Sequence, residues 1–559
     1  MSFEDILEDV GSMGKFQIIH VFLLAIPSFI SPSHNMLQNF VAAVPDHHCR
    51  IPLATNGSGS LNATAEDLLR VFIPLDRNGR PEKCIEYSPP QWHLLGLNAT
   101  RGNASVPDTQ TCSEGWTYDT SKFKATIVTE WDLVCDWRSL RRISQSIYMA
   151  GLLTGAIVLG RLSDKLGRRT LLLCSHFMLA VSGTCSAFST SYTLFCFWRF
   201  LTGVAMSGNM LNSFSLKVEW IATRFRTCIS LISGYLYTFG QLYLAGMAYA
   251  IQDWRWLQFA VSLPYIIFFL YSWWFPESAR WLILNDKADV ALKHLRRVAK
   301  LNGKEAEGQK LTTAILKSTI ENDQLVATKR RSVLDLFRTP AIRKITCCTM
   351  LVWFSTSFAY YGLAIDLQGF GMDIYLIQLI FGAVDIPAKA IGFASMSLIG
   401  RRFTQGMSLI LAGSIILANI FVSNELQALR TTFAAIGKGC LACAFSCCYL
   451  FSGELYPTVV RQTGMGLVST MARMGAMIAP IIRMSGDYVS FLPLTIYGGM
   501  AIIAGAAAFF LPETLKIPLP ETIEEIESRA LRDAEKDKNS KRKESPLQET
   551  NLSLMKQTV

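Results

Sequence analysis

Long apolar stretches separated by short polar turns dominate the chain. Twelve of them lie near 16–33, 143–161, 170–189, 193–216, 227–250, 256–275, 346–365, 374–396, 404–423, 428–451, 463–484 and 491–511. Each is close to the roughly 20 residues that carry a helix across a bilayer. Strand-like alternation is absent, so the pattern predicts an all-α membrane bundle and not a barrel. The polar remainder comprises 1–15, a loop over 40–140, a segment over 276–345 and a tail over 512–559. Two groups of six spans result, 16–275 and 346–511.

Composition agrees, with 50% hydrophobic and 17% charged residues, too apolar for a soluble chain of 559. The first fifteen residues carry Glu4, Asp5, Glu8 and Asp9 against Lys15. That is the reverse of a signal peptide's basic start, so the first span is expected to stay as an anchor.

Charge sets the expected orientation. The segment 276–345 holds fifteen Lys and Arg against eight acids. Short loops on the same side add Arg161, Lys165, Arg168, Arg169, Arg224, Arg226, Arg401, Arg402 and Arg461. The positive-inside rule makes this face cytoplasmic, with both termini inside. The net charge of +10 thus reads as topology and not as nucleic-acid binding. The loop 40–140 holds four glycosylation acceptors, Asn56, Asn62, Asn98 and Asn103, which belong on the opposite side. It also holds Cys49, Cys84, Cys112 and Cys135, an even set that implies two disulfides in one of three pairings. His47-His48-Cys49 is read with those disulfides and not as a zinc site. Cys440, Cys443, Cys447 and Cys448 have no His or acid on their helix and read as buried thiols, so no metal or other cofactor is expected.

A set of charged motifs occurs twice, roughly 235 residues apart. The first copy has Gly160, Asp164, Gly167, Arg168 and Arg169, then Glu219, Arg224 and Arg226, then Pro276-Glu277-Ser278. The second has Gly400-Arg401-Arg402, then Glu454 and Arg461, then Pro512-Glu513-Thr514. Gly160 is expected to allow close helix approach, and Asp164 to cap the next helix and attract a base. Glu219 with Arg168 and Arg226, and Glu454 with Arg401 and Arg461, are expected to latch the cytoplasmic ends of an outward-open state. The alternative is that the arginines only enforce topology.

This pattern resembles the major facilitator superfamily over the whole membrane part. Residues 126–135, Pro276 to Leu282 and Gly453 to Thr458 are similar to the solute carrier 22 family. Trp353 to Gly362, Asp385 to Lys389 and Gly437 to Cys440 are similar to its organic anion transporter branch, most like the first, third or sixth member.

Charges inside spans are costly, so each is a functional candidate. Spans seven to eleven hold Lys389, Lys438, Arg473 and Arg483 against Asp366 and Asp385, a net positive interior that suits an anion. Asp385 and Lys389 are four apart, so an ion pair within one helix is expected, although Pro387 between them bends that geometry. Arg473 and Lys438 have no acid on their own helices. The resemblance implies that Lys389 and Arg473 bind substrate, with contacts at Tyr237, Trp353, Tyr361, Phe445 and Asn35. Lys438 and Arg199 read equally well as binding or structural.

No phosphate-binding loop is present and the first six spans hold no mid-depth acid, so neither ATP hydrolysis nor a proton relay is expected. Exchange of organic anions by alternating access at the plasma membrane fits better. The resemblance implies an intracellular dicarboxylate as counter-anion in some members. A carrier of organic cations or zwitterions is the alternative. An enzyme is not expected, a receptor keeping the same fold ranks below both carriers, and a neutral-sugar carrier would leave the basic residues without use. Arg330-Arg331-Ser332 is a weak kinase pattern. The tail after 530 is charged and poor in apolar residues, and Gln557 departs from the common PDZ-ligand pattern, so no PDZ partner is expected.

Overall fold

A computed structural model of the chain describes residues 3–51, 65–76, 79–95, 108–326, 333–365, 367–423, 425–457 and 459–532. The four acceptor asparagines, Asp366, Arg330 to Ser332 and the chain end with Gln557 lie outside the described residues.

The predicted stretches fold as helices. Span one is Lys15–Met36, two Arg138–Leu166, three Arg168–Ala187, four Tyr192–Glu219 and five Thr223–Ala250. Span six is a pair, Trp254–Ser262 and Pro264–Ser272, because Pro264 cannot continue the preceding helix but starts a new one well. Span seven is Pro340–Ala364, eight Ile374–Leu398, nine Arg401–Ala418, ten Gln427–Leu455, eleven Arg461–Met484 and twelve Leu492–Ala508. Spans one, two, three, eight, nine, ten and eleven are long and apolar enough to cross a membrane by length and composition. Several helices outrun the apolar stretch that predicts them, because their polar ends continue as helix beyond it.

Spans two and three pack on four, and span five on one. In the second half, spans seven, eleven and twelve pack together, with nine against ten and twelve. The halves meet where span two crosses eleven and span five crosses eight. Close approach between spans two and four depends on Gly151 and Gly203. A Cβ on Gly151 would lie 2.2 Å from the Phe200 carbonyl oxygen, and one on Gly203 the same distance from that of Tyr148. Gly160, expected to be the close-approach glycine, has only Leu211 at 3.8 Å. It sits past the point where the helices separate.

The two faces of the bundle differ. On one, called here the loop face, Cys49–Cys112 and Cys84–Cys135 staple a small domain of two antiparallel strand pairs, settling the pairing. On the other, the basic face, the N-terminal helix Phe3–Gly11 docks on Ala288–Leu301 through Ile6, Leu7, Val10, Leu295 and Val298. Asn302 fastens that joint, accepting from the Phe16 amide at 3.0 Å and donating to the Val10 carbonyl at 3.0 Å.

Candidate functional site

The repeated motifs build matching corners at the basic face. Span three starts at Gly167 (φ 95°) and span nine at Gly400 (φ 122°), conformations that favour glycine. Each start leaves backbone N–H groups exposed, and a carboxylate from the end of the same half covers them. Glu277 accepts from the amides of Arg168 at 3.0 Å and Arg169 at 3.1 Å. Glu513 accepts from those of Arg401 at 2.9 Å and Arg402 at 3.1 Å. A Cβ on Gly167 or Gly400 would strike these carboxylates at 2.3 and 2.5 Å. The sequence displays Glu277 and Glu513 in the repeat, yet nothing local assigns them a role. Their similar offsets from Arg168 and Arg401, 109 and 112 residues, are the signal that pairs them.

The residues expected to gate the basic face bond within single halves in this structure. Arg168 bridges Asp164 at 2.9 Å and Glu219 at 3.3 Å. Arg401 grips Glu454 bidentately at 3.1 and 3.0 Å. Both clusters lie inside one half, because the short loop before span three or nine sets the arginine beside span four or ten of its own bundle. In this structure they tie each half together. Asp164 pairs with Arg168 and does not cap span three, a place Glu277 already fills. Arg226 makes no salt bridge to Glu219, and Arg461 donates to the Tyr456 carbonyl at 3.1 Å.

Bonds seen between the halves lie elsewhere. Toward the loop face, Arg142 pairs with Asp487 at 2.7 Å and Arg138 with the same carboxylate at 3.3 Å. Asn39 donates to the Ala364 carbonyl at 2.8 Å, and Gln368 joins Val44 in both directions. A small, partly open recess lies there, lined by Gln38, Arg141, Arg142, Gln145, Tyr361 and Arg483 among others. Toward the basic face, Gly234, Gly453 and Gly466 have open space where a Cβ would project.

Between recess and open space, the two halves share a polar layer. Asn35 of span one donates to the Tyr237 hydroxyl at 3.1 Å and accepts from that of Tyr148 at 2.7 Å. Tyr361 of span seven is an electrostatic neighbour of Tyr237. Gln145 donates to the Asn35 carbonyl at 3.1 Å and accepts from Arg199 at 3.3 Å. Arg199 also lies 4.3 Å over the Tyr148 ring, fully buried, so its place is structural.

The expected aromatic group is largely assembled. Trp353 meets Phe445 at 6.2 Å and Tyr449 at 4.6 Å between ring centroids, and donates to Ser452 at 2.8 Å. Phe445 meets Tyr360 at 5.7 Å. Trp353 and Asn35 are 1% exposed and stand behind the surface, whereas Tyr237, Tyr361 and Phe445 are partly accessible.

The interior charges divide differently from the expected pairing. Asp385 does not neutralise Lys389. It pairs with Lys438 of span ten at 2.8 Å, both side chains 1% exposed, and accepts from Gln241 of span five at 3.2 Å. Lys389 reaches across the interface and donates to the Gly234 carbonyl and the Thr238 hydroxyl, each at 2.7 Å. Pro387 lies between Asp385 and Lys389 and withdraws one donor from the helix turn they share, and Lys389 is long enough to reach a carbonyl on span five. Arg473 donates to Ser469 at 2.6 Å, and no carboxylate bridges it among the described residues. Its electrostatic neighbours are Tyr449 and Tyr361. Gln241, Tyr148, Gln145 and Tyr449 are members of this layer that sequence reasoning missed, since nothing distinguishes them from other polar or aromatic residues in spans. His47 lies near Cys84 and Cys135, but those sulfurs are joined in a disulfide and offer no thiolate.

Known proteins bear on this arrangement in three ways. A family model described as "Sugar (and other) transporter" matches residues 108–526. "Solute carrier family 22 member 6-A" of Xenopus laevis is 55% identical over 95% of this chain and 94% of its own. "Organic anion transporter 3" of Pongo abelii is 48% identical over 95% of each. Among solved structures, a D-xylose–proton symporter superposes with a TM-score of 0.56 over 90% of this chain and 99% of its own, at 15% identity, which speaks for the fold alone. The chain is thus a membrane transporter with the twelve-helix, two-half fold of the major facilitator superfamily, and it belongs to solute carrier family 22.

Proposed function

We propose that the protein carries organic anions across the plasma membrane by alternating access, exchanging one anion for another. The observation that carries this reading is the state of the interior charges. Asp385 is consumed by Lys438, while Arg473 sits at mid-span with no bridging carboxylate among the described residues. A partly accessible guanidinium in a low-dielectric cavity attracts a carboxylate and repels a cation. Lys389 adds a second positive charge on the facing wall. Tyr237, Tyr361, Phe445 and Tyr449 supply a surface for a flat ring. Asn35, Trp353 and Lys438 hold this lining in place from behind. The printed name of the Pongo abelii relative agrees in sign.

In this reading the loop face is extracellular, with Asn56, Asn62, Asn98 and Asn103 glycosylated, and the basic face and both termini are cytoplasmic. The Arg142–Asp487 and Asn39–Ala364 bonds then seal the outside while the cavity opens inward, and they break when it opens outward. Binding an anion beside Arg473 and Tyr361 couples cargo to that seal, because Tyr361 also lines the recess under it.

Uptake of a labelled aromatic monocarboxylate should exceed that of a quaternary ammonium compound, and the opposite ranking overturns the assignment. Arg473→Ala should lower anion uptake by at least tenfold at equal surface expression, since loss of a charge-assisted contact costs about 1.5–3 kcal/mol. Undiminished uptake in that variant removes Arg473 from the site.

A further inference from the structure

Another buried cation without a bridging carboxylate among the described residues lies in the first half, close to the basic face. Lys217, two residues before the end of span four, is 3% exposed. Its ammonium donates to Ser28 of span one at 3.4 Å and Ser233 of span five at 3.5 Å, both at the long limit of a hydrogen bond. No carboxylate bridges Lys217 among the described residues, and its neighbour Glu219 is taken by Arg168. Burying an ammonium on two distant hydroxyls leaves most of its lost hydration unreplaced. A shallow, partly open recess lies against it, walled by Phe214, Lys217 and Ile221 of span four and Arg226, Ser230 and Ser233 of span five. The Nε of Arg226 is buried there without a hydrogen-bond partner. Glu4, Glu219 and Arg280 act on Arg226 through space.

We propose that this recess is a second anion site, in which Lys217, Ser28, Ser233 and Arg226 receive the carboxylate of the anion loaded from the cytoplasm. The inference rests on the exchange reading above and adds to it a place for the counter-anion, apart from Arg473. The chemistry is that of a carboxylate site: one point charge, hydroxyl donors beside it and a guanidinium at the rim. Anions entering from inside meet Lys217 first, and the recess raises their local concentration below the central cavity.

The test uses the full chain in liposomes preloaded with graded succinate, reading the initial uptake of labelled 4-hydroxybenzoate. Lys217→Met should raise the internal succinate giving half-maximal stimulation by roughly tenfold, the loss of one charge-assisted contact. The external half-saturation for the benzoate should stay within about twofold, and Lys217→Arg should restore the succinate response. Methionine removes an uncompensated buried charge, so the variant should fold and melt no lower than the parent. An unchanged succinate response in folded Lys217→Met overturns the site. So does an equal rise on both sides of the membrane, which makes Lys217 a general structural residue. A third arm compares liposomes with and without phosphatidylinositol: if Lys217→Met abolishes a lipid dependence but leaves the succinate response intact, the recess holds a lipid phosphate and the proposal fails. If the parent protein takes up no organic anion at all, the exchange reading fails first, a result distinct from each of these.

Discussion

The two halves are nearly identical at their charged corners and unlike in their interiors. Glu277 caps span three as Glu513 caps span nine, and Arg168–Glu219 is mirrored by Arg401–Glu454. At mid-depth the likeness ends. The second half holds the Lys438–Asp385 pair, Lys389 and Arg473, whereas the first holds a buried polar chain from Arg199 through Gln145 to Asn35. The matched corners bond within halves and tie each bundle together. The unmatched interior faces the interface between the halves, where the proposed anion site lies. Duplication conserves what a rigid body needs, and divergence appears where the bodies face each other.

The strongest way to break this contrast is to open the buried pair. Asp385→Asn leaves Lys438 charged, fully buried and unpaired, at a cost of about 3–5 kcal/mol. Surface expression and the melting temperature of the solubilised protein should both fall sharply. The double variant Asp385→Asn with Lys438→Met should recover most of the loss. If the single variant folds normally, Lys438 finds another partner and belongs with Arg473 among the free charges of the site.

A smaller effect is expected at the seal between halves. Asp487 accepts from Arg142 and Arg138, with the Arg142 and Asp487 side chains less than one-fifth exposed. Asp487→Asn removes a charge-assisted bond worth about 1.5–3 kcal/mol from the sealed state only, or at least tenfold in the balance between states. A cysteine in place of Ile365, which also lines the recess, should then react several-fold faster with an impermeant thiol reagent added on the loop side. An unchanged rate means that the backbone bonds of Asn39 and Gln368 carry the seal alone.

Much of this was legible from residue order. Apolar length marks the spans, the cysteine-bearing loop and the basic loops mark two opposite faces, and mid-span position singles out Arg473 as a candidate. What escaped lies between helices. Asp385 and Lys389 are spaced for a bond within one turn, and only packing reveals Lys438 as the nearer base. The capping roles of Glu277 and Glu513 join residues more than a hundred positions apart, beyond any local capping signature. Gly160 shows the converse error, since a small residue permits close approach but only the crossing point decides where it occurs. Whether a charged cluster joins or merely stiffens two bodies is likewise a matter of which helices surround it, as Arg168 and Arg401 show.

The finest test of the contrast compares the two caps. If the corners are equivalent supports, Glu277→Gln and Glu513→Gln should lower the melting temperature by similar amounts, each losing about 1 kcal/mol of charge-assisted bonding at a helix start. Neither should alter the preference for anions. The Glu513 effect also has a defined pH window. Partial burial pushes its carboxyl up, but amides of Arg401, Leu515, Thr514 and Arg402 outweigh this and hold it below the ordinary value. A carboxylate lowered on folding contributes stability that is present above its unfolded pKa, about 4.3, and is lost as pH falls through the folded value. The gap in melting temperature between parent and Glu513→Gln should therefore stay constant from about pH 7.5 to 5.5 and close only in strong acid. A gap that closes near neutrality would show that the cap is protonated in the folded protein. A large effect from one cap and none from the other would show that the duplicated corners have diverged in role as the interiors have.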